Sequence, residues 1–313
     1  MGDIRSLPKN RPWLVSDLDG TLTRGGQKLL MEAFVEANPE VGNSVIRNKL
    51  CELFREWHDE KITPEKYDAH LAAMGNRWSE MLYAAKMTRT NVMETAGNWF
   101  RKDGHKKIKP CAIPMMTEAD KFRFNRMLLT GAPGEIAYPF AVEMKFPHVV
   151  AMMAPVNGKG AYCDSEIFTD ENTGVQAMKT DVCVELVKNK ALALGLGDTL
   201  SDAGIALPAI EKSHANPDDL FGRFLLMNPR PDVEQAMRTA LGMYTRRGAI
   251  KIIRSDDDVE HAKNTLRQAI YEVFHYNHKM DLYYEMIGVR RLSDQEIEEA
   301  KARRNALENE WQI

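Results

Sequence analysis

A short apolar run that ends in closely spaced carboxylates is the feature that most constrains the fold of this chain. Trp13-Leu14-Val15 is followed directly by Ser16-Asp17-Leu18-Asp19-Gly20-Thr21. The apolar run predicts a short buried strand, whose C-terminal end carries the two carboxylates. The same arrangement recurs late in the chain, where an apolar segment over 191–196 precedes Gly197-Asp198-Thr199-Leu200-Ser201-Asp202. Two strands with acidic ends indicate a sheet that gathers polar groups at one edge.

Other strand-like segments alternate with helical ones. Met127-Leu128-Leu129 leads into Thr130-Gly131, and further strands are predicted at 148–152 and 222–227. Strands that alternate with helices favour an α/β fold, with a Rossmann-like parallel sheet and helices on both of its faces. In such a sheet, ligands bind outside the carboxyl ends of the strands. The polar residues at these ends are therefore the candidate functional residues.

The 313 residues divide into three predicted parts. A helical pattern without a convincing strand runs over residues 25–107 and predicts an all-helical cap, inserted into an α/β core of residues 10–24 and 108–242. After Gly242 the pattern is helical to the end, so residues 243–313 are predicted to form a helical C-terminal extension. Within it, the acidic run 256–258 can cap a long helix that carries aromatic residues. A homodimer through the C-terminal helices is one hypothesis for this helix, and packing on its own core is the other.

Composition excludes several classes of function. The net charge is −3, from 42 basic and 45 acidic residues, so no overall positive field attracts nucleic acid. No apolar stretch is long enough for a membrane-spanning helix, and no apolar run follows Arg5 and Lys9 as a signal peptide requires. The chain is therefore predicted to be a cytoplasmic protein with no nucleic-acid partner and no membrane partner.

The polar residues at the strand ends form a consistent chemical set. Several carboxylates at one sheet edge repel one another unless a cation lies between them, and hard oxygen ligands suit Mg²⁺. The predicted metal ligands are Asp17, Asp19, Asp198 and Asp202. Beside them, Thr130, Gly131 and Lys179 offer a hydroxyl, a loop amide and an ammonium group, which suit a dianion such as phosphate. A carboxylate that faces a metal-bound phosphoryl group can act as a nucleophile.

These motifs carry a resemblance to a known family. Asp17-Leu18-Asp19-Gly20-Thr21 resembles the DxDGT signature of the haloacid dehalogenase (HAD) superfamily. Thr130, Lys179 and Gly197-Asp198-x-x-x-Asp202 match its second, third and fourth signatures in the right order, and Asp198 lies 19 residues after Lys179. The chain is most similar to the phosphoserine-phosphatase-like branch, whose helical cap follows the first signature. The resemblance covers about residues 10–240 and implies the HAD fold, with Mg²⁺ as cofactor.

The resemblance implies a catalytic role for three residues. Asp17 is the nucleophile that accepts the phosphoryl group, and it also binds Mg²⁺. Asp19 is the general acid for the leaving group and then the general base for water, while its backbone carbonyl contacts the metal. Lys179 neutralises the charge that the phosphate shares with Asp17. Because dehalogenases of the superfamily lack the acid at the position of Asp19, phosphoryl chemistry is favoured over dehalogenation.

The resemblance also implies binding roles for the remaining motif residues. Thr130 and the amide of Gly131 hold phosphate oxygens, together with Lys179. Asp198 ligates Mg²⁺ directly. Asp202 either ligates the metal or orients its waters and neighbours, and both alternatives stay open at this point.

The implied activity is that of a Mg²⁺-dependent phosphatase, which hydrolyses a phosphomonoester of a small metabolite through an aspartyl phosphate on Asp17. Phosphoserine phosphatases carry a glutamate nine residues after the nucleophile that helps to read the substrate amine, and this sequence has Gly26 there. Phosphoserine is accordingly disfavoured as the substrate. One alternative is a phosphotransferase or mutase that uses the same intermediate, and another is a binding or scaffold protein that acts through its C-terminal helices.

Overall fold

The structure, a computed structural model, describes nine stretches of the chain. These are residues 12–24, 29–41, 44–58, 62–63, 66–168, 174–188, 193–215, 223–242 and 249–275. No helix in these stretches is long and apolar enough to cross a membrane.

Six parallel strands form one sheet in this part of the chain. They are β1 (Trp13–Ser16), β2 (Asn125–Pro133), β3 (His148–Met152), β4 (Ala193–Gly197), β5 (Arg223–Met227) and β6 (Ile250–Ile253). Their order across the sheet is β3-β2-β1-β4-β5-β6, which confirms the predicted α/β fold. The chain builds outward from β1 on one side and from β4 on the other. The carboxyl ends of β1 and β4 therefore flank the point where the strand order reverses, the usual ligand site of such sheets.

Ten helices accompany the sheet in the described residues. They are α1 (Leu29–Ala37), α2 (Ser44–His58), α3 (Tyr67–Ala84), α4 (Arg89–Lys102), α5 (Ala112–Lys121), α6 (Gly134–Glu143), α7 (Val175–Lys188), α8 (Ala203–Ala215), α9 (Pro231–Leu241) and α10 (Val259–His275). Helices α1 to α4 lie between β1 and β2 in the chain, and no strand of the sheet interrupts them where they are described. This matches the helical pattern of the predicted cap, whose boundaries stay a prediction.

Alternating side chains of the strands supply two apolar clusters, one on each face of the sheet. Trp13 and Val15 of β1 belong to the cluster packed under α7, α8 and α9. Leu14 belongs to the other cluster, which continues through Phe34 and Trp78 into the predicted cap. Because the second cluster is continuous, the helices of the predicted cap share a core with one face of the sheet.

The two connections between the sheet and the predicted cap run side by side. Thr23 and Ile108 form an isolated antiparallel bridge. The amide of Lys109 donates to the carbonyl of Leu22 at 2.9 Å, and the amide of Arg24 donates to the carbonyl of Lys107. The chain therefore leaves and re-enters the core through one paired segment, next to the acidic end of β1.

The prediction that the chain is helical throughout after Gly242 is wrong at β6. Residues 250–253 pair in parallel with β5 and extend the core sheet by one strand. The segment Ile250-Lys251-Ile252-Ile253 is only four residues long and rich in β-branched side chains, which pack well on a pleated surface. The apolar pattern of the longer surrounding segment is helical, and a strand of four residues is too short to change it.

Helix α10 follows β6 and begins as predicted. The carboxylate of Asp258 accepts a hydrogen bond from the amide of His261 at 2.9 Å and so caps the helix. Leu266, Ile270 and Val273 of α10 are buried in the core cluster of the sheet. The described part of α10 thus packs on its own core, while residues 276–313 of the predicted extension lie outside the described residues. The homodimer hypothesis stays a prediction.

An ion pair between α5 and α10 is expected to stabilise this packing. Arg267 donates to the buried carboxylate of Glu118 at 2.5 Å, and Lys121 donates to it at 2.9 Å. The hydrogen bond from Arg267 is the main reason that the pKa of Glu118 falls from 4.5 to about 2, and Lys121 adds to the effect. A lowered pKa means that the contribution to stability is complete above pH 4.5 and is lost as the pH falls towards 2.

We predict that Glu118→Gln lowers the free energy of unfolding by about 1 kcal/mol at pH 7, because Arg267 is partly exposed and its solvation discounts the pair. Urea denaturation at pH 7 and pH 3 measures this difference, which should shrink at the lower pH. Glu260→Gln removes an exposed pair with Lys263 on the same helix and serves as the control, with little expected effect. An equal loss for Glu118→Gln at both pH values would contradict the prediction.

Candidate active site

The predicted site residues meet at the carboxyl ends of β1, β2 and β4. Asp17 and Asp19 follow β1, Thr130 lies within β2, and Asp198 follows β4. The amide of Asp17 donates to the carbonyl of Leu196 at 3.0 Å, which fixes the first acidic segment against the second. The predicted residues Asp17, Asp19, Thr130, Gly131 and Lys179 line one cavity. The structure thus brings together residues that lie far apart in the sequence.

Lys179 is buried between two carboxylates. Its amino group donates to Asp17 Oδ1 at 2.9 Å and to Asp202 Oδ1 at 2.5 Å, and its side chain is only 2% exposed. Burial alone lowers the pKa of Lys179, but the negative charges of Asp17 and Asp202 outweigh it and hold the pKa above its ordinary value. Lys179 is therefore a protonated cation beside the predicted nucleophile at neutral pH.

Asp202 is held by its own loop. Its Oδ2 accepts hydrogen bonds from the amides of Asp198 and Thr199, both at 2.9 Å, and from the Thr199 hydroxyl at 3.0 Å. Its Oδ1 accepts a hydrogen bond from the amino group of Lys179. With both oxygens engaged, these contacts favour the orienting role for Asp202 over direct ligation of a metal.

Asp198 lies where a negative charge is disfavoured. Oδ1 of Asp198 accepts a hydrogen bond from the Thr21 hydroxyl at 2.8 Å. Burial raises the pKa of Asp198 well above its ordinary value, and the nearby charges of Asp202 and Asp17 raise it further. Oxygen atoms of these three carboxylates lie within 4.8 Å of one another. A hard divalent cation relieves this repulsion, so the donor set fits Mg²⁺.

Gly20 allows the first acidic segment to approach Asp198. Its φ is +85°, a backbone conformation that side chains disfavour, and a Cβ at this position would overlap the carboxylate of Asp198. The carbonyl of Gly20 accepts a hydrogen bond from the amino group of Lys109 at 2.5 Å. Lys109 is 3% exposed and is a second buried cation near the carboxylates.

Thr130 and Gly131 occupy the place expected of a phosphate cradle. Thr130 is fully buried, and its hydroxyl accepts a hydrogen bond from the amide of Ala132 at 3.0 Å. The register between β2 and β3 shifts between Thr130 and Pro133, so the chain bends there before α6 begins at Gly134. This bend turns Gly131 and Ala132 towards the cavity that Asp17 lines.

Apolar side chains line the cavity opposite the carboxylates. Leu71 of α3, Val175 of α7 and Ala132 contribute to this lining, and the cavity is partly open to solvent. A helix of the predicted cap therefore borders the site beside the predicted nucleophile.

Several residues of the site were not predicted from the sequence. Thr21 bonds Asp198, Lys109 holds Gly20, and Leu71 covers the cavity. Thr21 lies inside the DxDGT signature and could have been singled out on that basis. Lys109 and Leu71 carry no such signal. A lysine that closely follows two other lysines is ordinarily a surface residue, and a leucine in a helix is ordinarily a core residue. Trp57 and Trp78, which both belong to the predicted cap, are buried in the core cluster.

Comparisons with known proteins bear on the fold. No protein-family model and no curated protein matches the sequence. A protein of unknown function from Bordetella pertussis Tohama I has a similar solved structure, with a TM-score of 0.55 and 15% identity over 78% of this chain and 98% of that one. The structure of cytosolic 5'-nucleotidase IIIB bound to cytidine has a TM-score of 0.51 and 12% identity, over 86% of this chain and 89% of that one. The structure of a substrate-bound phosphoserine phosphatase has a TM-score of 0.50 and 11% identity, over 84% of this chain and 98% of that one.

These likenesses and the order of the strands describe the fold. The chain shares its fold with the phosphoserine phosphatase, which is the fold that the four signatures implied. The phosphoserine phosphatase belongs to the branch that the sequence most resembles, and its likeness extends over nearly the whole of that protein. At identities of this size the likeness describes the fold, and the activity is argued separately from the site.

We predict that Gly20→Ala weakens Mg²⁺ binding by at least about tenfold, because the added Cβ displaces the carboxylate of Asp198. Isothermal titration calorimetry with Mg²⁺ measures the change, and circular dichroism checks that the variant is folded. Gly158→Ala is the matched control, since a Cβ there meets nothing within 4 Å. Wild-type Mg²⁺ affinity in folded Gly20→Ala would show that the close approach of these segments is not needed.

Proposed function

We propose that the protein is a Mg²⁺-dependent phosphatase, which hydrolyses a phosphomonoester of a small metabolite through an aspartyl phosphate on Asp17. The observation that carries the proposal is the contact between Lys179 and Asp17 Oδ1 at 2.9 Å, in a cavity that Asp19 also lines. A nucleophile, a neutralising cation and a second carboxyl group within one small space suit phosphoryl transfer to Asp17.

The carboxylates that follow β1 and β4 would hold the metal. Asp17, Asp198 and the backbone carbonyl of Asp19 are the proposed ligands, with Asp202 orienting the loop that carries Asp198. When bound, Mg²⁺ neutralises charge on the phosphoryl oxygens and on Asp17. The remaining steps belong to side chains of the protein.

Asp17 begins the reaction as a carboxylate. One of its oxygens attacks phosphorus, a bond from oxygen to phosphorus forms, and the bond to the leaving alkoxide breaks. The proton of Asp19 passes to that alkoxide. Lys179, fixed by Asp202, neutralises the charge that spreads over the phosphoryl oxygens in the transition state. Thr130 and the Gly131 amide, which line the same cavity, would orient those oxygens.

In the second half of the reaction Asp19 acts as a general base. Its carboxylate takes a proton from a water molecule, the water oxygen attacks phosphorus, and Asp17 is released together with inorganic phosphate. Leu71 and Val175 supply an apolar lining beside these groups, which would limit the access of bulk water during the first half of the reaction.

We propose that the substrate is a small phosphorylated metabolite and that the protein acts in the cytoplasm. No nucleic-acid partner and no membrane partner are proposed. The neighbouring structures were solved with cytidine bound to a 5'-nucleotidase and with substrate bound to a phosphoserine phosphatase. These ligands show which kinds of organic group such folds can accept. Gly26 replaces the glutamate that reads an amine in phosphoserine phosphatases, so a substrate other than phosphoserine is favoured.

We predict that the wild-type protein releases phosphate from at least one member of a phosphomonoester panel only when Mg²⁺ is present, and that Asp17→Asn lowers this rate at least about a thousandfold. The amide cannot act as the nucleophile. Phosphate release measured with and without Mg²⁺ tests both statements, and Asp181→Asn, an exposed carboxylate on α7, is the control.

Two outcomes would redirect the proposal. Product that forms only when a second hydroxyl compound is added would support the phosphotransferase alternative. Retained turnover in Asp17→Asn would remove Asp17 from the mechanism and overturn the proposed intermediate.

A further inference from the structure

The N-terminus of α7 is capped by a residue of another helix. Gly174 precedes the helix and has no side chain with which to cap it. The amide of Gln176, the second residue of α7, donates instead to Oδ1 of Asp68 at 2.6 Å. A Cβ on Gly174 would overlap the carboxylate of Asp68. Asp68 belongs to α3, so a residue of the predicted cap completes the first turn of a helix of the core.

The opposite side of the same turn is fixed by α8. A Cβ on Gly204 would lie 2.6 Å from the carbonyl oxygen of Gln176, so the two helices approach each other as closely as glycine permits. The hydroxyl of Thr180 donates to the same carbonyl at 2.8 Å. The first turn of α7 is therefore enclosed between Asp68 on one side and the backbone of α8 on the other.

This turn leads directly to the catalytic lysine. Lys179 lies one helical turn after Val175, and both residues line the cavity. On α3, Leu71 lies three residues after Asp68 and lines the cavity as well. The same face of α3 thus covers the site and caps the helix that supplies Lys179.

Other contacts hold α3 on the core without touching α7. Asn76 Oδ1 accepts hydrogen bonds from the amides of Ile167 and Phe168, at 2.9 and 3.0 Å, and its Nδ2 donates to the carbonyl of Phe168 at 2.9 Å. The hydroxyl of Ser79 donates to the carbonyl of Ser165 at 3.0 Å. These contacts attach α3 to the core without involving α7. The contact of Asp68 differs from them because its partner is a backbone amide of α7.

We propose that Asp68 is a positioning residue that couples the seating of α3 over the site to the placement of the Lys179 amino group. Leu71 of α3 lines the cavity together with Lys179, so a substrate of the proposed phosphatase, on which this inference rests, binds against α3. When α3 moves away, Gln176 loses its acceptor and the first turn of α7 loosens. When α3 returns over the substrate, Asp68 restores the turn and fixes Lys179 between Asp17 and Asp202.

The expected kinetic effect distinguishes a positioning role of Asp68 from a role in the attachment of α3 alone. Asp68→Ala should lower kcat about tenfold with a smaller change in KM, because the loss of a helix cap misplaces Lys179 in the transition state. Asn caps helices about as well as Asp, so Asp68→Asn should keep most of the activity. Asn76→Ala, the control, weakens the attachment of α3 alone and should act mainly on KM.

The test combines kinetics with hydrogen–deuterium exchange of the intact protein. In Asp68→Ala, the amides at the start of α7 should exchange faster than in the wild type, whereas Asn76→Ala should leave them unchanged. This second measurement needs no turnover, so it tests the coupling even if no phosphomonoester is hydrolysed and the proposed function fails. The inference would be overturned by unchanged exchange in α7, by a loss in Asp68→Asn equal to that in Asp68→Ala, or by the same kinetic pattern in Asn76→Ala.

Discussion

The structure of the site depends on one buried ammonium group between two carboxylates. Removing the Lys179 charge from water costs several kcal/mol, and only the close contacts with Asp17 and Asp202 offset that cost. These partners follow β1 and β4, so the pairing requires both strand ends and α7 at once. The site also holds Asp19 and Asp198, so its four carboxyl groups outnumber the two buried ammonium groups of Lys179 and Lys109. That excess is the physical reason to expect a metal ion there.

Strands β1, β2 and β4 were predictable because they carry their functional residues at or near their ends. Each of these apolar runs followed by polar residues indicated a strand, and parallel strands place such ends at one edge. The strand β6 was not predictable in this way. Its four residues end in no functional motif, and their pairing depends on the exposed edge of β5, which is created by tertiary structure.

The same distinction applies to the site. The residues of the four signatures were predicted because their chemistry and order suffice to identify them. Asp68 and Lys109 were not, since each acts through a backbone group far away in the sequence. Asp68 accepts from the amide of Gln176, 108 residues later, and Lys109 donates to the carbonyl of Gly20, 89 residues earlier. No local pattern reports a partner of this kind, because it exists only once the chain has folded.

The core and α3 contribute different groups to the cavity. The core supplies the groups that act on a phosphoryl group, and α3 supplies Leu71 and Asp68. The core residues that line the cavity are proposed to hold the phosphoryl group, so discrimination among leaving groups would fall to α3 and the side chains around it. A correct leaving group would allow α3 to seat and α7 to tighten, so that recognition and the placement of Lys179 become a single event.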